Sequence, residues 1–328
     1  MENKTENLSI VVDESNAEKT RHFLDIYEME TIIGDSDNKF YLGTKEPRIC
    51  RFCKKNEKEV TFKMDAHVMP QFMGNRNLLS YFECDECNSL FSNYEDSFAN
   101  FLGITRTFAQ IKGQSRKVPK FKDPRTGIEV YLSDTGIQLT TVEGKDSIKI
   151  DEEGKSLEIT TTRPTYIPIH IPKVLIKIGL SMLPDSAVED YDLTRKFILQ
   201  SDKDINFNNS NMLRIFGYFI PGPPKFPTPF AQLYRKKTEK AELLCPSRQL
   251  ILFYANYYFQ MVLPFADSDK NLQGKQINVP LFPLLVDKSY MDKYGDYRRL
   301  NLNLTSNQKK KGEEHKITFS FEGLTQTL

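Results

Sequence analysis

Residues Arg48–Phe98 read RICRFCKKNEKEVTFKMDAHVMPQFMGNRNLLSYFECDECNSLFSNYEDSF, and the spacing inside this stretch decides the reading of the chain. Cys50-x2-Cys53 is followed, thirty residues later, by Cys84-x2-Cys87. Two such knuckles can set four thiolates tetrahedrally around one zinc ion, and the metal then joins segments that lie far apart in sequence. Four sulfur ligands leave no open coordination position, so such a site is structural. Unrelated buried cysteines seldom fall twice into x2 pairs. The fifth cysteine, Cys245 beside Pro246 in an apolar context, reads as a small buried hydrophobe.

Between the knuckles come an acid and a His followed by an aliphatic pair and Pro70, a loop with Gly74 and Asn77-Leu78, and then Cys87-Asn88 at the head of a helical pattern. This order resembles the HNH (His-Me finger, ββα-metal) endonuclease family in its four-cysteine, zinc-containing form, over roughly residues 48 to 103. The resemblance implies that His67 is the general base that takes a proton from water, a role suited to an imidazole titrating near neutral pH. It implies that Asn77 fixes the loop so that His67 points correctly, and that Asn88 is a ligand of a catalytic divalent cation, Mg2+ or Mn2+, that steadies charge on the scissile phosphate. Products with a 5′-phosphate and a 3′-hydroxyl would follow.

One position departs from the family pattern. The residue before the His, often a second metal ligand, is Ala66 here. Asp65 would project from the same strand face as His67, and Glu95 falls seven residues after Asn88 on the same helix face. Either carboxylate, or Asp96, could complete an oxygen-rich site of the kind magnesium takes; Glu95 is favoured. Asn88 also suits a helix N-cap, a role compatible with metal binding. His22, His170 and His315 lie outside any constellation and read as structural or surface residues.

Outward from this segment, residues 106 to 125 carry Arg106, Lys112, Arg116, Lys117, Lys120, Lys122 and Arg125 against the single acid Asp123. This loop-like stretch could follow a phosphate backbone, with Lys112, Arg116, Lys117, Lys120 and Lys122 as the DNA contacts; the competing reading is a solvated loop. Nothing resembles a base-reading helix, so weak sequence specificity is expected. Residues 128 to 162 alternate apolar and polar positions as a β-meander does. Val174, Leu175, Ile178 and Leu183 recur at helical spacing until Pro184, and a second helix is expected over Val188 to Leu199. Strands are expected in LRIFGYFIPG, FAQLYRK, QLILFYANYYFQMVLPF and HKITFSFEG. Residues 1 to 45 read as a polar lead-in with one short, partly apolar stretch at Ile26 to Ile33.

The expectation is therefore an α+β protein in three parts: a lead-in at 1–45, a zinc-stabilised ββα-metal HNH module with its basic flank at 46–125, and a strand-rich α+β accessory domain at 126–328. With 39% hydrophobic and 27% charged residues, the 328-residue chain is neither disordered nor fibrous in character. Its formal net charge of +1 means that DNA binding must come from local patches. The polar start and the interrupted apolar run at Leu250–Phe265 point to a cytoplasmic protein without a membrane span. DNA is the expected partner, with a homodimer or an activating partner acting through the C-terminal region, and proteins of this look are often tied to defence against phage or mobile DNA. The reading from another class is a non-catalytic, zinc-stabilised nucleic-acid-binding module.

Overall fold

The computed structural model describes residues 14–113, 115–142, 147–151, 153, 155–202, 210–284 and 286–320. The chain opens with helix α1 (Glu14–Ile26) and strands β1 (Tyr27–Gly34) and β2 (Phe40–Leu42), followed by β3 (Ala66–His67), β4 (Leu78–Ser80), helix α2 (Asp85–Leu102) and the short α3 (Thr105–Phe108). Then come β5 (Phe121–Asp123), β6 (Ile128–Ser133), β7 (Gly136–Thr140), β8 (Ile148–Asp151) and β9 (Ser156–Thr162). Helices α4 (His170–Met182) and α5 (Asp192–Leu199) precede β10 (Ile215–Phe219), β11 (Phe226–Lys236), β12 (Arg248–Ala255) and β13 (Tyr257–Val262). Helix α6 (Lys288–Tyr294), β14 (Arg298–Leu302) and β15 (Glu314–Ser320) complete the described chain. The class is α+β.

The organising element is a six-stranded antiparallel sheet in the order β1-β11-β12-β13-β10-β14. Its central strands are apolar on both faces because both faces are covered. Successive residues of β12 alternate between two cores: Leu250, Leu252 and Tyr254 join the one that contains α2 and α4. Ile251 and Phe253 join the one that contains Phe23 of α1 and Phe282. This period of two is the pleat of the strand. Gly217 is required in β10, since a Cβ there would stand 2.0 Å from the Tyr258 carbonyl oxygen of the paired strand.

Helix α4 lies between α2 and the sheet, with every one of its residues buried. The predicted helix over 171–183 is thus found, whereas the second one is shorter than expected: two 3-10 turns occupy 185–191 before α5 begins at Asp192. The expected meander over 128–162 is two separate hairpins, because β7 pairs only with β6 while β8 and β9 join β15 in another sheet.

Strand pairing runs across two of the expected boundaries. The lead-in supplies α1 and the edge strand β1, which pairs with β11, and also β2, which pairs in parallel with β4. Its first 13 residues lie outside the described residues. The limit at 125/126 is crossed by the β5–β6 hairpin. Asp123, the one acid of the basic flank, is buried at 3% exposure and accepts hydrogen bonds from the amides of Arg125 and Thr162 and the hydroxyls of Thr126 and Thr162.

The main core contains Phe91 and Phe98 from α2 together with Leu175, Leu252 and Phe259. Phe98 meets Phe72 and Phe259 edge to face at 5.7 and 5.5 Å. Phe98→Ala is therefore expected to cost about 3–5 kcal/mol in urea denaturation. Tyrosine fluorescence and far-UV circular dichroism should report one shared transition; two separated transitions would show that the segment and the sheet fold independently. Asp123→Asn should also destabilise. Burial alone would raise the carboxyl, but its hydrogen bonds together outweigh that and hold it below the ordinary value of 3.8, so the stabilisation is present above that pH and is lost as pH falls below it. The gap between parent and variant should accordingly close in acid.

Candidate active site

The four cysteines converge. Cys50 and Cys53 sit on a tight turn closed by the Lys54 and Cys50 amides, which bond the Cys50 and Lys55 carbonyls, and Lys54 takes a positive φ of 63° there. Cys84 and Cys87 open α2. The Cys50–Cys87 and Cys53–Cys84 sulfur distances are 3.8 and 3.7 Å, and all four sulfurs lie within 4.8 Å of one another. A tetrahedron with zinc–sulfur bonds of about 2.3 Å has edges of about 3.8 Å, so the cluster can hold a zinc ion. The thiols also interact strongly as they stand: contact with Cys87 lowers Cys50 to about 5, whereas burial pushes Cys84 up to about 12 and contact with Cys50 pushes Cys87 up as well. A cation would let all four ionise.

Asp85, in the first turn of α2, accepts hydrogen bonds from the Lys63 and Met64 amides at 3.0 and 2.9 Å and from the Thr61 hydroxyl. This fastens the segment leading to His67 onto the helix, where a carboxylate also suits the dipole. Strand β3 is only two residues long and pairs Ala66 with Ser80 and His67 with Leu79. Together β3, β4 and α2 form a ββα unit.

His67 is half-buried, and its Nε2 lies 2.7 Å from the Gln71 side-chain nitrogen. Its Nδ1 is buried with no hydrogen-bond partner among the described residues. Burial, helped by the nearby Lys177 ammonium, lowers the imidazole from 6.5 to about 4, so the ring is neutral at neutral pH.

The carboxylates expected near it are engaged. Asp65 accepts from Lys39 at 2.7 Å and from the Tyr41 hydroxyl at 3.2 Å. Glu95 has one-fifth of its side chain exposed, stands 3.9 Å from the Lys177 ammonium and is pushed up to about 6 by burial. Asp96 is exposed. Asn88 is half-buried in the first turn of α2, and its side chain makes no hydrogen bond among the described residues, which leaves the amide oxygen available. The N-cap position falls to Cys84, so Asn88 does not cap the helix.

Asn77 bonds outward, its amide nitrogen reaching the carbonyls of Ser36 at 2.6 Å and Asp37 at 3.2 Å. The bonds inside the loop come from Asn75, 1% exposed, which donates to the Met69 and Leu78 carbonyls and accepts from the Leu78 amide. The structure thus brings Asn75, Gln71, Glu83 and Lys177 to the site, none of them singled out from sequence. Lys173 and Lys177, four apart in an otherwise apolar helix, were the available signal for the last.

Lys112, Arg116, Lys117, Lys120 and Lys122 are all exposed. The run starts against the His67 loop, since a Cβ at Gly74 would meet Ile111 at 3.0 Å and the Lys112 carbonyl at 3.8 Å. At its far end Lys120 stands over the Tyr131 ring and Lys122 pairs with Glu129. Arg106 is turned inward, over the Phe72 ring at 5.0 Å. His170 bonds Ser97 and Asp202, and Cys245 is buried, as structural residues. A cleft of about 1640 Å³ lies between the small sheets and β10, β13 and β14, and none of the candidate site residues lines it. No helix among the described residues is long and apolar enough to cross a membrane.

Residues 50–101 match the HNH endonuclease family model, under a fifth of the chain. Neither the curated proteins nor the solved structures returned a match. The family match and the cysteine cluster support a metal-binding nuclease in general terms. Purified protein should carry one zinc per chain by atomic emission. Cys87→Ser should lose it together with the order of the 48–103 segment, because binding free energy of such sites, on the order of 10 kcal/mol, is folding free energy. A fully folded, zinc-free variant would refute the clamp.

Proposed function

We propose that this chain is a metal-dependent endonuclease that hydrolyses DNA phosphodiester bonds, with His67 as general base. The observation that carries the reading is a neutral, half-buried imidazole with an unpartnered Nδ1, on a two-residue strand braced by a four-cysteine cluster and facing residues of an HNH-matching segment. A base in its unprotonated form at working pH can accept the proton of an attacking water. Gln71 occupies Nε2, and its amide can rotate to accept from that nitrogen, which leaves Nδ1 as the unprotonated nitrogen; Nδ1 is enclosed among the described residues, so on this reading water reaches it only when bound substrate opens the loop around the ring.

Asn88 with Glu95 or Asp65 would hold Mg2+ or Mn2+; the donors are all hard oxygens, which suits these ions. Such a cation, when bound, supplies charge stabilisation for the phosphate and the leaving oxygen. Exposed Lys112, Arg116, Lys117, Lys120 and Lys122 would follow the DNA backbone from the edge of the His67 loop, giving affinity with weak sequence preference. Asn77 and Asn75 would keep that loop in place from opposite sides. On this reading the activity is cytoplasmic and belongs to a homodimer, since double-strand cleavage is easiest with two one-site copies, or to a chain under an activating partner; defence against invading DNA is the setting that the resemblance suggests.

One observation favours the non-catalytic alternative: Asp65 and Glu95 are both ion-paired, and Ala66 offers no ligand. Supercoiled plasmid incubated with protein and Mg2+ or Mn2+ separates the two. The parent is expected to nick it, and His67→Ala to do so about 10²- to 10⁴-fold more slowly at unchanged zinc content. Equal DNA binding by both proteins with no cleavage by either would leave the binding module as the function.

A further inference from the structure

Lys177 lies in the middle of α4 with 1% of its side chain exposed. An ammonium has three donors and no acceptor, so its burial requires several oxygens around it. Four are present. The nitrogen donates to the His67 carbonyl and, at 3.3 Å, to the Val68 carbonyl. Glu83 Oε2 lies at 3.3 Å and Glu95 Oε1 at 3.9 Å. Two of these acceptors belong to the peptide units on the C-terminal side of His67; of the other two, Glu83 directly precedes Cys84 of the second knuckle and Glu95 lies within the helix that carries Asn88.

We infer that Lys177 is a positioning residue for His67: a buried ammonium from the C-terminal half fixes the strand carrying the imidazole against the helix carrying Asn88. The inference rests on the nuclease reading and names a residue that acts through His67 rather than on substrate. Two ladder residues hold β3, with one further bond from the Val68 amide to the Leu78 carbonyl. Such a short strand leaves the peptide plane after His67 free to tilt, and that plane sets where the Cα–Cβ bond and the ring point. Charge-assisted bonds to two consecutive carbonyls remove the freedom.

Stability alone does not call for a lysine here. A buried cluster of one ammonium and two carboxylates loses solvation, and an apolar side chain of similar length is frequently as stable or more so. Among the described residues the Glu83 oxygens accept no hydrogen bond and have the Lys177 ammonium at 3.3 Å, although 0% of that side chain is exposed. The arrangement is thus costly for packing and specific for geometry.

The competing explanation is that Lys177 merely neutralises Glu83, and paired variants separate the two. Lys177→Met removes the carbonyl contacts and leaves the fully buried Glu83 without its partner; Lys177→Met with Glu83→Gln removes the contacts and leaves only the partly exposed Glu95 without its ion pair. Melting temperature and zinc content report folding, single-turnover plasmid cleavage reports the chemical step, and DNA affinity reports substrate binding. Protein labelled with ¹³C at histidine Cε1 gives four ring signals, with His67 identified by its loss in His67→Ala. The double variant is expected to regain stability and keep DNA affinity while cleaving on the order of 100-fold more slowly, the penalty of a small displacement of a reacting group. Its His67 ring signal should be split or broadened, whereas that of Glu83→Gln alone stays single. Full recovery of cleavage with stability, or an unchanged His67 signal in the double variant, would overturn the inference. Should Lys177→Met not fold, the double variant carries the test. Should the parent fail to cut DNA, the nuclease reading falls separately, and the ring signal still decides whether Lys177 sets the imidazole.

Discussion

A segment of about fifty residues cannot bury enough apolar surface to hold a side chain to the tolerance that catalysis demands. Everything around His67 answers that constraint. The sulfur cluster joins the turn at 50–53 to the head of α2, and Asp85 ties the incoming chain to the same helix. The remaining fastening comes from the C-terminal half. Arg51, between the first two cysteines, stacks on Phe82 and donates to the Leu180, Ser181 and Leu183 carbonyls at the end of α4, where a cation also suits the helix dipole. Arg195 of α5 donates to the Phe52 carbonyl at 2.7 Å. Ser97 of α2 bonds His170 at the start of α4. The nuclease-like unit is embedded in a larger body, and its rigidity is borrowed from there.

What could be read in advance follows from how local each signal is. The cysteine spacing was legible because metal-ligand geometry is set by residues two apart on a turn. Helix α4 was legible from its apolar spacing, but the same scan counts a lysine as polar and assigns it to a wet face. Lys173 instead donates to the Tyr94 hydroxyl, the Gln200 carbonyl and Asp202, and Lys177 reaches the site. Strand β1 falls on the short, partly apolar stretch at Ile26 to Ile33, but its pairing was not legible, because its partner β11 lies some 200 residues on, where no local pattern announces it. Strand β14, RRLNL, is a polar sheet edge and reads as loop. In GNRN the two asparagines are equally suited to hold a loop, and only burial tells that Asn75 works inward and Asn77 outward.

Electrostatics around the site follow from the same embedding. A total charge of +1 hides a local asymmetry, because the acids near His67 are already committed: Asp85 to backbone amides, Asp65 to Lys39, Glu83 and Glu95 to Lys177. Among the described residues, the exposed cations from Lys112 to Lys122 meet only Glu129 as a counter-charge, at Lys122. On the proposed reading, this local excess of cations is what would draw an anionic backbone toward the imidazole, even though the molecule as a whole is near neutral.

The imidazole itself is tuned by what stands behind it. A carboxylate behind a histidine ring would raise its basicity and favour the charged form. Here burial favours the neutral form and the nearby Lys177 ammonium adds to it, against weaker opposing pulls from Asp65 and Asp35, so His67 remains unprotonated below neutral pH. On the proposed nuclease reading, a ring so placed would be a weaker base but in its accepting form at neutral pH, and it would add no positive charge beside a bound cation. That trade is coherent only if the ring's position is held independently of its charge, which is why the fastening of β3 matters more here than any ion pair to the ring.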